Sequence, residues 1–204
     1  TGYLKKTTSI HAFKTLFNST SEIFQFGSTN TDAADDILIG SDGYLYISGS
    51  ANGTWISNHT VIEPHVSSTD GLIAKVDPQT LEVQWVTFLG ASSYQYARAI
   101  TRDSNDNIYI SGYSGSNFTN LSPLNTEGKS FVAKFNNNGV LLWMTQEGTG
   151  SGDSIYGLAT DSNGNVYAAG SGIGSVNGES TIGESDLYIV KYDTNGTVIW
   201  TKQF

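Results

Sequence analysis

"DSNGNVYAAG", residues 161–170, reads as a tight turn feeding a strand that ends at Gly170. Nearly the same ten letters stand at 103–112, "DSNDNIYISG", and again at 40–49, "GSDGYLYISG". The residues downstream of each copy repeat as well. The stretches "DGLIAKVDPQTLEVQW" (70–85), "KSFVAKFNNNGVLLW" (129–143) and "SDLYIVKYDTNGTVIW" (185–200) all end on a tryptophan. Trp85, Trp143 and Trp200 are spaced by 58 and 57 residues, Lys75, Lys134 and Lys191 by 59 and 57, and Tyr46, Tyr109 and Tyr167 by 63 and 58. The excess in the first tyrosine interval lies in the loop 50–69. Self-similarity at such a period, in units too small to bury a face alone, is the mark of stacked modules.

Within a unit the apolar residues alternate with period two, as at Ile108 and Ile110 or Val166 and Ala168, and no stretch sustains a helical period. The third copy predicts strands over 154–161, 165–170, 186–193 and 197–204. Asn163-Gly164 and Asn195-Gly196 are expected to supply the positive φ of two-residue hairpin turns, and Asp103 and Asp161 to cap the amides of the first turn. Four antiparallel strands per unit, repeated in tandem, make an all-β fold: a β-propeller whose blades pack face to face around a channel. The tryptophans are expected between adjacent blades, and the lysines along the third strand with their ammonium groups in water.

Residues 27–85, 86–143 and 144–204 are read as three blades, and 1–26 as the last two strands of a preceding one. That alignment matches Gly2 to Gly112 and Lys14 to Lys134, and puts Ile23 or Phe24 near the tryptophan slot. A closed ring needs at least about four blades. The expectation is therefore a partial propeller, either a window on a longer one or a chain that completes its ring with blades of a partner. The first copy departs from the other two: Gly40 stands where they carry aspartate, which predicts an uncapped turn, and "LEVQW" lacks the turn glycine.

The phrase "D-S-N-G-N-V-Y-x-x-G", followed by "D-x-x-x-x-K-Y-D-x-N-G-T-x-x-W-T-K-Q-F", resembles the SBBP family of bacterial and archaeal β-propeller repeats over nearly the whole chain. The resemblance implies a large secreted or surface-attached protein without known catalysis. A second likeness is narrower. "DTNGTVIW" (193–200) is similar to the tryptophan-docking motif of propeller dehydrogenases that hold pyrroloquinoline quinone, but the axial residues a quinone needs are not identified in the repeat.

Composition narrows the partners. The net charge of −9, with only ten lysines and arginines, argues against nucleic acid and anionic membrane surfaces, which are bound by cationic patches. No apolar run approaches the length of a membrane-spanning helix. Cysteine is absent, which removes disulfides and thiolate metal sites. There is no G-x-S-x-G elbow and no H-E-x-x-H, and the three histidines, at 11, 59 and 65, leave little for general-base work. Neither catalysis nor a cofactor is expected.

Recognition is expected in the loops between second and third strands, 50–69, 113–128 and 171–184, which vary while the turns are stereotyped. Trp55, His59, Tyr113 and Phe118 are the candidate contacts for a glycan or a protein, because an aromatic ring on a polar loop offers a flat apolar face. His59, Glu63 and His65 have the residue types of a metal site, but nothing holds them on one helix or strand, so no metal is expected. Sequons at Asn18, Asn52, Asn58, Asn117, Asn120 and Asn195 are candidate glycosylation sites. The reading is a non-enzymatic, extracellular or cell-surface propeller scaffold that presents loops for protein or glycan binding. A structural subunit of a surface layer or filament, and a quinone-dependent dehydrogenase fragment, are the alternatives.

Overall fold

The computed structural model describes residues 10–15, 21–55, 59–118, 129–148 and 152–204, with side chains from Phe26 onward. Turn chemistry sets its hairpins. The Asp161 carboxylate accepts the amides of Asn163 and Asn165, each at 3.0 Å, and the Asn165 side chain at 2.8 Å, while Gly164 N–H returns to the Asp161 carbonyl at 3.0 Å. Asp103 does the same with Asn105 and Asn107. The aspartate caps are therefore present, but the turns differ from the two-residue type expected. Only the last turn residue has positive φ: Gly164 at 78° and Gly196 at 84°, not the asparagines before them.

The first copy solves its departures locally. Asp42, two residues beyond Gly40, accepts Tyr44 N–H at 3.1 Å and the Tyr46 hydroxyl at 2.9 Å, so the turn predicted to lack a cap has one. In "DPQTLE" the chain is one residue longer, Asp77 takes the amides of Gln79 and Thr80, and Leu81 itself occupies the left-handed region at φ 59°.

Every regular element is a strand among the described residues. The first sheet comprises β3 (Asp32–Ile39), β4 (Leu45–Ala51), β6 (Asp70–Val76) and β7 (Val83–Leu89), with β5 (Thr60–Val61) added parallel to β7. The second runs β8 (Gln95–Arg102), β9 (Ile108–Ser114), β10 (Ser130–Phe135) and β11 (Leu141–Glu147). The third runs β12 (Ser154–Thr160), β13 (Val166–Gly172), β14 (Asp186–Tyr192) and β15 (Val198–Gln203). Each four-strand set is an antiparallel meander in chain order, the blade of a β-propeller. The boundaries drawn at Trp85 and Trp143 fall inside β7 and β11, because the fourth strand continues four residues past the tryptophan.

Ahead of the blades, β1 (Ile10–Thr15) and β2 (Ser21–Phe26) form an antiparallel hairpin. Lys14 pairs with Glu22, so Glu22 holds the place opposite the lysine, not Ile23 or Phe24. Gly2 lies outside the described residues.

The repeated letters meet in one cross-strand row. Tyr46–Lys75–Trp85, Tyr109–Lys134–Trp143 and Tyr167–Lys191–Trp200 are each in register across strands two, three and four. The lysine ammonium is not left to water. It pairs with the turn aspartate, at 2.6 Å for Lys75–Asp42, 3.6 Å for Lys134–Asp103 and 3.4 Å for Lys191–Asp161. The tryptophan packs on the next blade: Trp85 joins Ile108, Ile110, Phe131 and Phe135, and Trp143 joins Ile155, Val166, Tyr188 and Tyr192. Trp85 and Trp143 are 8% and 7% exposed, whereas Trp200, in the third blade, is 41% exposed. Both faces of the first two blades are buried, which is why β6, β9 and β10 read as near-continuous apolar runs.

Candidate functional site

The glycine that closes each repeated phrase does not end a strand; β13 runs on to Gly172. Its role is steric. A Cβ on Gly49, Gly112 or Gly170 would overlap the carbonyl oxygen of Ala33, Tyr96 or Ser154 on the neighbouring first strand. Opposite each glycine the first strand carries one extra residue, a β-bulge, between Ala34 and Asp36, Ala97 and Ala99, and Ile155 and Gly157. The extra residues are Asp35, Arg98 and Tyr156, spaced by 63 and 58 like the repeat tyrosines. Bulges re-aim side chains and are common beside functional sites. Here they put three chemically different groups at one equivalent place in a frame that otherwise repeats.

The first strands are also where successive blades meet. Asp36 on β3 accepts Ile100 N–H on β8 at 3.0 Å, and Thr160 on β12 donates to the Arg102 carbonyl at 2.7 Å. Between the second and third blades lies an open cleft of about 270 Å³, lined by Tyr94, Tyr96, Arg98, Tyr113, Gly152, Ser154 and Tyr156. Tyr94 and Tyr113 stack at 5.9 Å with their planes 27° apart, and Tyr96 lies 6.0 Å from Tyr94. The Arg98 guanidinium sits 5.5 Å from the Tyr96 ring and 5.6 Å from the Tyr156 ring. Burial, and then the hydrogen bond with Tyr94, push the Tyr113 phenol above its ordinary range, so it remains a neutral donor at physiological pH. Asp35 is desolvated and its pKa is raised by that burial, against the opposing pull of Arg98.

Of the residues expected to make contacts, Tyr113 is in this cleft. Trp55 is not available as a flat face. It is 3% exposed, packs 5.4 Å from Phe26 and 6.3 Å from Phe88, and donates its indole N–H to Asp32 at 3.3 Å. Phe118 is likewise buried, edge-on to Phe131 at 5.5 Å. His59 is half-buried against the Trp55 ring, and burial lowers its pKa. The loop 50–69 folds back along its own blade: Ile62 N–H reaches the Val86 carbonyl at 2.9 Å, and Phe88 N–H reaches Glu63 at 3.1 Å. His65 lies against Phe88 and 4.0 Å from Asp70, and among the described residues no three metal-ligating side chains converge. Asn52, Asn117 and Asn195 are exposed; Asn18, Asn58 and Asn120 fall outside the described residues.

A β-propeller repeat model, SBBP, matches residues 84–119 and 142–176. Two stretches of the chain thus match SBBP β-propeller repeats. Among known sequences it is similar to an uncharacterized WD repeat-containing protein, L264, of Acanthamoeba polyphaga mimivirus, at 27% identity over 145 residues, 59% of this chain. That alignment spans 10% of the viral protein's length. Among solved structures it is similar to a protein of unknown function from Bacteroides caccae, at 14% identity and a TM-score of 0.40, covering 89% of this chain and 70% of that one.

Each matched SBBP stretch starts in the fourth strand of one blade and ends after the second strand of the next. It thus contains the inter-blade tryptophan, the bulge residue, the turn aspartate and the glycine that makes room for the bulge. The cleft is assembled where two SBBP stretches touch, Tyr94, Tyr96, Arg98 and Tyr113 from the first and Gly152, Ser154 and Tyr156 from the second. At the position equivalent to the tryptophan of "DTNGTVIW", Trp143 packs between blades.

Tyr113 apart, the cleft residues escaped sequence reading. Tyr94 and Tyr96 stand at the entry to the first strand in "SSYQYARAI" (92–100), where the other copies have no such aromatic pair. Their singularity within the repeat was the available signal. Arg98 and Tyr156 required knowledge of the bulge, which the alternation of apolar residues does not announce.

Proposed function

We propose that this propeller is a non-enzymatic binding scaffold, extracellular or cell-surface, whose recognition surface is the tyrosine–arginine cleft. The observation that carries the reading is the divergence at the bulge position: Asp35, Arg98 and Tyr156 differ where the surrounding tyrosine, lysine, tryptophan and glycine repeat. A frame held constant around one variable position is the pattern of a scaffold that binds. Proteins and glycans are the ligand classes, and the acidic surface disfavours nucleic acid. The test is binding of the purified chain to a panel of surface polysaccharides and cell-surface proteins. Tyr94→Ala and Tyr156→Ala should abolish the interaction with melting temperature unchanged; binding that survives both removes the cleft from consideration.

A structural role in a layer or filament is supported by a different feature. On the outer face of the third blade Leu158, Tyr167, Ile189 and Trp200 line an apolar hollow, the counterpart of surfaces that the next blade covers on the first two. Other blades, of this or a partner chain, are the fitting occupants. Light scattering over a concentration series, with Trp200→Lys as the control, tests it: assembly that persists in the variant does not use this face.

A further inference from the structure

Resting on the reading of the cleft as a recognition surface, we infer that it takes a carboxylate-bearing saccharide, with Arg98 receiving the carboxylate and the Tyr94–Tyr113 pair serving as platform for a sugar ring. The argument begins with charge. The protein is acidic, and the described cations other than Arg98 are engaged by internal partners: Lys75, Lys134 and Lys191 by turn aspartates, Arg102 by Asp106 at 2.9 Å, Lys202 by Glu179 at 3.6 Å, Lys129 by the Gly115 carbonyl at 3.3 Å. Among the described residues Arg98 alone of the cationic side chains makes no ion-pair contact and no hydrogen bond; Asp35 acts on it only through space, and its Nε is enclosed without an acceptor. A guanidinium placed near two aromatic rings retains a planar donor fork that matches a planar two-oxygen acceptor, which is carboxylate geometry.

The walls select the body of the ligand. Every large side chain lining the cleft, apart from Arg98, is a tyrosine, and no aliphatic residue is present to receive a peptide's apolar side chain. Tyr94 and Tyr156 are 46% and 56% exposed, so ring faces and phenol hydroxyls are offered together. That combination suits a pyranose, whose C–H face stacks on an aromatic ring while its hydroxyls bond to the rim. The Ser154 hydroxyl, buried at the edge of the cleft, also lacks a partner among the described residues and adds a polar contact. At about 270 Å³ the space is just below the range of drug-sized ligand sites and accommodates one or two sugar rings.

Calorimetric titration with digalacturonate, its dimethyl ester and triglycine tests the assignment. Digalacturonate should bind at least tenfold more tightly than the ester. Arg98→Gln should erase that preference while leaving the weaker ester binding and the melting temperature unchanged, and Arg98→Lys should restore it only in part, because an ammonium cannot make the two-point contact. Tyr94→Ala should weaken both sugars. Equal binding of acid and ester, a preference that survives Arg98→Gln, or triglycine binding as tightly as digalacturonate overturns the inference. The broader reading of the cleft falls separately, if ligands from the panel bind Tyr94→Ala and Tyr156→Ala as they bind the parent.

Discussion

Replacing Trp143 with alanine should weaken the protein far more than the same change at Trp200. Both residues hold the same place in the repeat, paired with Lys134 and Lys191, and both lean on a tyrosine ring, at 5.9 Å for Tyr109 and 6.1 Å for Tyr167. Their surroundings differ. Trp143 is sealed by the third blade, 6.3 Å from Tyr192, and its indole N–H donates to the Thr194 carbonyl at 3.0 Å. Truncation there removes a buried ring and opens a cavity between two rigid sheets, for about 3–5 kcal/mol. The Thr194 carbonyl keeps the Lys134 ammonium at 3.1 Å, so no large penalty for an orphaned acceptor is added. Trp200 has one face in solvent, and truncation there should cost about 1–2 kcal/mol. Urea unfolding followed by far-ultraviolet circular dichroism reads the difference directly. In thermal scans Trp143→Ala should lower Tm by roughly 6–20 °C. Equal losses for the two variants, or a Trp143→Ala protein as stable as the parent, would refute the placement of this ring between blades.

Gly112→Ala forces a methyl group onto the Tyr96 carbonyl and should destabilise by about 2–3 kcal/mol, measured by the shift of the urea midpoint; a neutral result would show that the bulge relaxes freely. Glu147 is buried beside Thr145 and Tyr192, and desolvation raises its pKa above 4.5. The native state therefore holds the proton more tightly than the unfolded chain, and stability should fall as pH rises from about 4.5 through the raised value; Glu147→Gln should flatten that part of the pH–stability curve, and an unchanged slope would contradict the assignment. Asp161 is the opposite case: hydrogen bonds from Asn165 and Asn163, with Lys191 beside it, lower its pKa to about 2. Its contribution to stability is present above 3.8 and lost as pH falls toward 2, and carboxyl-carbon NMR should find it titrating well below an ordinary aspartate.

The blades were legible because their signals are local and repeated. An Asp–Asn–Gly turn, a period-two strand and a terminal tryptophan each declare themselves within ten residues, and three copies reinforce one another. The registers that bring Tyr, Lys and Trp into one row follow from those turns. Trp55 was misplaced because its neighbours in sequence are polar, while the partners that bury it, Phe26 and Phe88, come from distant strands. The cap at Asp42 was missed because the carboxylate arrives from a position two residues along yet reaches the same tyrosine and lysine. The cleft was hidden for a related reason. A glycine inside a strand reads as its end, when what it records is the carbonyl of another strand pressing against the chain.

That glycine also separates two kinds of inheritance within the repeat. Residues in the Tyr–Lys–Trp row are tied to one another and to the next blade, so a change at any of them disturbs partners that must change in concert. The bulge residue is freed from this obligation, since its neighbours on either side carry the ladder pairing while it carries none. Asp35, Arg98 or Tyr156 can therefore be replaced without breaking a ladder pair, although Arg98 lies against the Tyr156 ring and acts on the Asp35 carboxyl. A tandem array with such a position in every unit is a keyboard: copying a blade adds a key, and substitution at a single codon changes the note it sounds.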